Sequence, residues 1–293
     1  MKTMFKRKLS KALLIAFSLL CMAATSGGKT VAEKYHTTTI KCDTTLNEVV
    51  SIPHHSFDSS GLCTCIPTLS SSQLSQAPKI ELNKHAREFV RSYLKQEGHF
   101  LGKIKAKSAP YFDIIDTVFT KYDLPVELKY LAVIESKLNN NISSPAGAAG
   151  LWQIMPVPAR QFGLVVKGKV DERKHTYKST VAAAKCLIYL HKMFDDWLLT
   201  LAAYNSGPGR VLSAIKKSGS RNFWVLQHHL PEETRKHVKK FIAMHYYFEG
   251  HGSLTTLTKN ETQAHVKAVA NFIEKQKDVL ADTATTETVM ANR

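Results

Sequence analysis

Glu135 is the residue whose type and position best suit acid–base chemistry in this chain. Leu128, Leu131 and Ala132 precede it at the spacing of one helical face, and Glu135 occupies the next position on that face, where an apolar side chain is expected. Burial there would disfavour the ionised carboxylate, as a general acid working near neutral pH requires. Judged from this segment alone, the alternative is that Glu135 lies at the end of a helix, either in solvent or paired with a lysine.

The segment after Glu135 combines small residues with side chains that suit a sugar. Residues 146–150 are all Ala or Gly, so backbone or ligand can approach closely. An aromatic face, an amide and a polarisable apolar group then follow, beside the space left by these small residues. They belong to Trp152, Gln153 and Met155. A sugar presents hydroxyl edges and an apolar ring face, so this mixture favours saccharide binding. A glycine-containing turn with a core tryptophan is the alternative.

Tyr204 and Asn205 are predicted to lie at the end of a helix, where polar groups can face a cleft. Gly207 falls just past that helix and Pro208 can open the next one, which is the usual asymmetry of helix ends. His237, on the predicted last core helix, is a further candidate for the edge of the cleft.

The elements that must position these residues are predicted to be almost wholly α-helical, because no run alternates with period two for long enough to make a convincing strand. Asp123 can cap the helix of Glu135, with Pro125 at its first position. Apolar periodicity predicts further helices from residue 79 and over about 110–122, near 159, and over about 179–194, 195–205, 208–217, 232–248 and 262–280.

Composition divides the chain into four parts. Residues 1–26 have the basic start, short apolar run and small residues of a secretory signal, and residues 27–78 form a Ser/Thr-rich arm or linker. A helical domain is predicted over 79–250, and residues 251–293 form a C-terminal tail with an amphipathic helix and a mobile end. Cys21 lacks a good lipobox, so we expect cleavage of the signal in preference to lipidation.

Charge and cysteines restrict the class of partner. The formal net charge is +16, with 40 Lys and Arg against 24 Asp and Glu, which favours a polyanionic surface or substrate. For the charge alone, a solvated and solubilising surface is the simpler interpretation. No base-reading motif accompanies the charge, so we predict no nucleic-acid partner. Export permits a disulfide between Cys42 and either Cys63 or Cys65. We predict no metal and no cofactor, since the cysteines lack the spacing of a zinc site.

Three segments, in this order and spacing, resemble the catalytic domain of lytic murein transglycosylases. They are Glu135-Ser136, the run from Ser144 to Pro156 that contains Gly-Leu-Trp-Gln-Ile-Met-Pro, and residues 203–209, Ala-Tyr-Asn-Ser-Gly-Pro-Gly. The resemblance covers about residues 110–250 and is greatest to the D-type membrane-bound enzymes. It implies an all-α, goose-lysozyme-like helical domain with a substrate cleft, flanked by the loosely ordered arm and the tail.

The resemblance also implies roles for individual residues. Glu135 would be the single catalytic acid/base, cutting the β-1,4 bond between N-acetylmuramic acid and N-acetylglucosamine in peptidoglycan and leaving 1,6-anhydromuramic acid ends. The substrate-binding positions would be Ser144, Gln153, Met155, Tyr204 and Asn205, and the residues at the cleft edge Ser136, Trp152 and His237. His237 departs from the family pattern, which has Tyr at this position.

Two other functions remain open from the sequence. A hydrolytic muramidase on the same fold would need a second carboxylate or a positioned water opposite Glu135, and Asp113, Asp116, Asp195 and Asp196 are unpersuasive candidates. A non-catalytic glycan-binding module is the alternative from another class. In each case we expect a periplasmic or cell-envelope location, with peptidoglycan strands as the partner and a possible peripheral attachment to the envelope.

Overall fold

The computed structural model describes residues 75–291, with side chains as far as residue 278. The predicted signal at 1–26, nearly all of the arm, and the disulfide predicted for Cys42, Cys63 and Cys65 lie outside the described residues. In the described part of the chain, no helix has the length and the apolar character needed to cross a membrane.

The described residues fold into helices joined by short turns. The α-helices are α1 (Lys84–Ala106), α2 (Ala109–Lys121), α3 (Tyr130–Ser136), α4 (Pro156–Gln161), α5 (Thr176–Phe194), α6 (Trp197–Ser206), α7 (Pro208–Ser218), α8 (Phe223–Leu226), α9 (Glu232–Glu249) and α10 (Lys259–Ala291). Single 3₁₀ turns occur at Val126–Lys129, Glu172–Lys174, Gln227–His229 and Leu254–Thr256. The prediction of an all-α fold is confirmed.

One small hairpin interrupts the helical pattern. β1 (Val166–Lys167) and β2 (Val170–Asp171) pair antiparallel, with Val166 opposite Asp171. The sequence had predicted no strand in this segment. Two-residue strands are too short to show alternation in the sequence, so no periodicity could have revealed them.

The core is built around α6, which is apolar on all sides. Its residues from Leu198 to Ala203 are buried, because α6 packs against α5, α7 and α9. α9 contributes the predicted apolar face, with Val238, Phe241 and Ile242 all 1% exposed or less. Burying one such side chain contributes about 1.5–3 kcal/mol. The central position of α6 fixes where its C-terminal residues lie.

Three predicted boundaries differ from the structure. Asp123 does not cap the helix of Glu135, because its backbone is left-handed (φ 53°) and a 3₁₀ turn intervenes before α3 begins at Tyr130. At the other end, residues 255–258 are buried against the helical domain, so it does not stop at residue 250. α10 then continues as helix to Ala291, past the predicted end near residue 280.

Candidate active site

Glu135 lies in the last turn of α3, at the edge of the core. Leu128, Leu131 and Ala132 are fully buried, as the apolar spacing predicted. The side chain of Glu135 is only 14% exposed. α3 ends one residue later, because Lys137 and Leu138 both adopt left-handed backbone conformations (φ 56° and 59°). Such conformations cost non-glycine residues about 1–3 kcal/mol each, so the surrounding structure must hold this sharp exit from the helix.

His237 of α9 contacts the carboxyl group of Glu135 directly. Its Nε2 lies 2.8 Å from Glu135 Oε1, and the imidazole is buried, with 7% of its side chain exposed. Its other ring nitrogen, Nδ1, is enclosed and has no hydrogen-bond partner. The ring is therefore enclosed in the protein beside Glu135, whereas the sequence predicted it at an exposed cleft edge.

Ser136 anchors the loop that follows Glu135. Its hydroxyl is 2.8 Å from the carbonyl oxygen of Leu151 and 3.1 Å from that of Ala132, and the residue is 2% exposed. The backbone N–H of Asn139 donates to the same hydroxyl. Ser136 thus ties the Gly-rich loop to α3. The prediction that it edges the cleft was wrong, because its hydroxyl is used inside the protein.

Gly150 permits a close approach between that loop and the segment after the hairpin. Its φ is +80°, and a Cβ atom at this position would lie 1.8 Å from the carbonyl oxygen of Arg173. The Arg173 guanidinium then holds the loop from within. Nη1 donates to the carbonyls of Gly147 (2.7 Å) and Ile154 (2.9 Å), while Nε and Nη2 donate to the two carboxylate oxygens of Asp171.

Arg173 is a functional neighbour that sequence reasoning missed. It is only 7% exposed, and its hydrogen bonds lower the pKa of Asp171 below the usual range. A bidentate Arg–carboxylate pair of this kind is geometrically specific, so the guanidinium is fixed in orientation as well as in place. The sequence Asp-Glu-Arg-Lys around it resembles any charged surface turn, and it carries no signal that one of its residues is buried.

Trp152 belongs to the core and not to the groove. Its indole is fully buried against Phe119, with Nε1 donating to Thr180 Oγ1 at 3.0 Å. The expected aromatic surface for a sugar is therefore not supplied by Trp152, and its predicted position at the cleft edge was wrong. Its backbone remains relevant to the site, because the hydroxyl of Tyr204 donates to the Trp152 carbonyl at 2.8 Å.

Gln153 and Met155 lie on the accessible side of the same loop. Gln153 has a left-handed backbone (φ 45°), and its amide donates to the carbonyls of Gly150 (2.9 Å) and Ile142 (3.3 Å). Met155 and Ile142 are 42% and 41% exposed. These two apolar side chains are therefore exposed, unlike the indole of Trp152.

Ser144 shapes the first turn of the loop. Its N–H donates to the carbonyl of Ala148 (2.8 Å), and its hydroxyl accepts from the N–H of Ala148 (3.0 Å). The side chain is partly exposed. Within the described residues no hydrogen bond joins Ser144 to Glu135, so any contact between them would need a ligand.

Tyr204 and Asn205 are held at the end of α6, as predicted. Burial raises the pKa of Tyr204 well above its usual range, and electrostatic interactions with Cys186 and Glu135 add to the rise. Its phenol is therefore a donor at neutral pH. Asn205 Oδ1 accepts from Thr234 Oγ1 at 2.9 Å, and this bond leaves the amide nitrogen free to donate to a ligand.

The other carboxylates considered from the sequence are engaged elsewhere. Asp116 pairs with Lys129, Asp195 pairs with Lys259, and Asp196 caps α6 by accepting from the N–H of Leu199. Asp113 is exposed on α2. In the structure from residue 75 onward, none of the four makes a hydrogen bond with Glu135 or with its partner His237. Glu135 therefore stands as a single sheltered carboxyl group, suited to giving and taking one proton.

Part of this chain is similar to known proteins. Residues 117–227 match the family model described as the Transglycosylase SLT domain. The chain is 40% identical over 167 residues to the "Membrane-bound lytic murein transglycosylase D" of Escherichia coli (strain K12), covering 55% of this chain and 36% of that protein. It is 42% identical over 111 residues to a "Putative tributyltin chloride resistance protein" of Alteromonas sp. (strain M-1), covering 38% of this chain and 54% of that protein.

Among solved structures, the chain is similar to the 70 kDa soluble lytic transglycosylase SLT70 of Escherichia coli, with 27% identity and a TM-score of 0.44 over 51% of this chain and 26% of that one. The chain thus spans about a third to a half of the length of the first relatives it matches. The matched segment includes Glu135, the Gly-rich loop and the Tyr204–Asn205 pair.

Proposed function

We propose that this chain is a peptidoglycan lytic transglycosylase of the cell envelope, with Glu135 as its single acid/base. The observation that carries the proposal is the setting of Glu135. Its carboxyl group is 14% exposed, is held by His237, and lies close enough to Tyr204 to affect the pKa of that phenol. In its neutral form this carboxyl group can protonate a leaving oxygen, and in its ionised form it can take a proton back.

The proposed reaction uses one proton twice. Glu135 gives its proton to the bridging oxygen as the bond between C1 of N-acetylmuramic acid and that oxygen breaks, and N-acetylglucosamine leaves with a hydroxyl group. The N-acetyl group of the substrate stabilises the positive C1, which replaces the second carboxylate of the common scheme. The 6-hydroxyl oxygen then bonds to C1 and its proton passes to Glu135, which restores the acid. No water is consumed.

The surrounding groups fit this substrate class. Met155 and Ile142 offer apolar contact to sugar rings, while the amide of Asn205 and the turn at Ser144 offer hydrogen bonds to hydroxyl and N-acetyl groups. The positive net charge of +16 favours association with the anionic polymers of the envelope. Location in the periplasm, by way of the signal predicted at residues 1–26, belongs to the same proposal.

A digest of purified peptidoglycan analysed by mass spectrometry tests the proposal. We expect products that end in 1,6-anhydromuramic acid. Glu135→Gln keeps the shape of the side chain but removes its acid, so we expect the rate to fall by at least about 10³-fold while strand binding is retained. Asp113→Asn is the matched control, because Asp113 is exposed on the neighbouring α2 and should leave the rate unchanged.

Other outcomes would replace the proposal. Reducing-end muramic acid in the digest would identify a hydrolytic muramidase, in which water takes the place of the 6-hydroxyl. Binding of strands without any cleavage by the unaltered chain would identify a glycan-binding module. Cleavage by Glu135→Gln at the unaltered rate would remove Glu135 from the mechanism.

A further inference from the structure

We propose that His237 is a neutral positioning residue, which donates its Nε2–H to Glu135 Oε1 and so leaves Glu135 Oε2 as the oxygen that exchanges the proton with the sugar. This inference rests on the proposed function for the role of Oε2, but the state of the imidazole itself does not depend on any activity. The hydrogen bond joins α9 to α3, two helices that are 102 residues apart at this contact.

The two carboxyl oxygens of Glu135 have different surroundings. Oε1 is 2.8 Å from His237 Nε2. Oε2 makes no hydrogen bond to any residue between 75 and 278. Three side-chain polar atoms of that region are both enclosed and without a partner, and Oε2 is not one of them. The oxygen without a protein partner is therefore the accessible one. A proton carried on Oε2 can reach a ligand, whereas a proton on Oε1 would be covered by the imidazole.

The unpartnered Nδ1 of His237 decides between the possible states of the ring. A protonated imidazolium has N–H donors at both nitrogens, and the donor at Nδ1 would be a buried positive group with no acceptor. Burying a charged donor without a partner costs far more than burying a bare ring nitrogen. The neutral ring with its hydrogen on Nε2 avoids that cost, because Nδ1 then needs only to remain an unused acceptor.

Charges around the pair act in opposite directions. α9 carries Arg235, Lys236, Lys239 and Lys240 near His237, but Glu233 lies one turn before it and Glu135 is in contact with it. These charges therefore do not decide the state of the ring, which follows from the enclosed Nδ1. The titratable groups near the pair from other elements are Glu135 itself, on α3, and Tyr204, on α6, which is neutral at physiological pH. In the described part of α1, which also packs against α9, no side chain makes a hydrogen bond or ion pair with His237.

A neutral donor has a consequence for the catalytic cycle. With Nε2–H on Oε1, Glu135 can be protonated on Oε2 or ionised, and the hydrogen bond persists in both states. His237 therefore need not gain or lose a proton when Glu135 does. Its contribution is to hold the carboxyl plane so that Oε2 faces the ligand throughout the reaction.

Three substitutions separate this role from others. His237→Phe removes the donor, and His237→Asn keeps an amide that is one methylene too short to reach Oε1. We expect both to lower kcat by about 10- to 100-fold with little change in KM, since a hydrogen bond to a carboxylate has this value. His237→Gln places an amide N–H where Nε2 lies. We therefore expect its kcat to be at least tenfold higher than that of His237→Phe. Thermal unfolding of each variant checks that folding is retained.

The pH profile and the imidazole signals supply the decisive readouts. We expect the kcat profiles of the unaltered chain and His237→Gln to have the same limbs between pH 5 and 8. NMR spectra of the full chain with ¹⁵N-labelled histidine identify the His237 ring signals as those that are lost in His237→Gln. Between pH 5 and 8 these signals should show an unprotonated Nδ1 and a protonated Nε2. Exposed His229→Gln is the control for assignment.

Two protonated ring nitrogens, or a limb of the profile that disappears in His237→Gln, would overturn the inference. So would a His237→Gln variant as slow as His237→Phe although it is folded. If the unaltered chain cuts no peptidoglycan, the proposed function fails, but the nitrogen signals still test the state of His237.

Discussion

Side chains that are distant in sequence determine what Glu135 can do. His237 holds one of its oxygens, and the phenol of Tyr204 lies close by while bonded to the Trp152 carbonyl. Thr234 fixes the amide of Asn205 in the same region. Each of these bonds joins two different helices or a helix and a loop. A site of this kind is formed only when the whole helical domain is folded.

His245 makes stability depend on pH. It is fully buried, bonded to the carbonyl of His251 (2.9 Å) and to Ser253 Oγ (2.8 Å), and burial lowers its pKa to about 4. In the unfolded chain its pKa is about 6.5, so the unfolded state binds an extra proton between these values. The stabilisation is complete above pH 6.5 and is lost as pH falls towards 4, by up to about 3 kcal/mol.

Urea unfolding at intervals between pH 4.5 and 7.5 measures this effect. The free energy of unfolding of the unaltered chain should fall more steeply towards low pH than that of His245→Gln, which cannot take up a proton. Exposed His229→Gln should keep the steep dependence. Parallel curves for the unaltered chain and His245→Gln would show that His245 is not responsible.

At the scale of elements, the loop between α3 and α4 depends on a close approach of two backbones. Gly147 and Gly150 both have left-handed φ angles, 92° and 80°. A Cβ at Gly147 would meet nothing within 4 Å, whereas a Cβ at Gly150 would lie 1.8 Å from the Arg173 carbonyl oxygen. Substitutions at these two glycines therefore distinguish the cost of backbone strain, which both positions share, from the cost of a steric clash, which only Gly150 has.

Alanine at each of these positions gives a matched pair. Gly147→Ala should lower the free energy of unfolding by about 1–3 kcal/mol, the cost of a left-handed non-glycine residue. Gly150→Ala should cost at least about 4 kcal/mol, because the loop must also move away from Arg173. Chemical denaturation measures both. Equal losses would mean that the loop yields easily at Gly150 and that its contact with Arg173 is not restrictive.

The sequence predicted the long helices well and the site only in part. Apolar periodicity and helix-end residues located α6, α7 and α9 to within about two residues at each end, because these helices are long and bury one face or more. It also indicated that Glu135 is sheltered. It could not indicate which aromatic residues reach the groove, since Trp152 has the same local neighbours whether it faces sugar or core. Arg173 was not predicted because its partners are brought to it by tertiary packing.

At the scale of the whole molecule, the start of α10 is part of the helical domain. The N–H of Lys259 donates to Asp196 Oδ2 at 2.7 Å, and Glu261 accepts hydrogen bonds from Trp224, Asn83 and Thr258. Beyond this first turn the helix has many exposed side chains, as far as residue 278. The packing of the helical domain therefore continues into the first turn of α10, past the end at residue 250 that composition predicted.

Two truncations test this boundary. A chain that stops after Gly250 should lose at least about 3 kcal/mol of unfolding free energy, because Asp196 and Trp224 lose buried partners, each worth about 1–3 kcal/mol. A chain that stops after Lys267 keeps these contacts and should unfold within a few degrees of the full chain. Calorimetry distinguishes the two. Equal stability of both truncations would show that residues 254–261 contribute little.

The position of Arg173 next to a hairpin has a practical consequence. Its guanidinium fastens the loop of Gly147 and Ile154, yet it follows β2 after a single intervening residue. The hairpin turn at Gly168 and Lys169 is exposed. Lengthening or shortening that turn should displace the guanidinium, and with it the carbonyls of Gly147 and Ile154, without altering any side chain of the loop that follows Glu135.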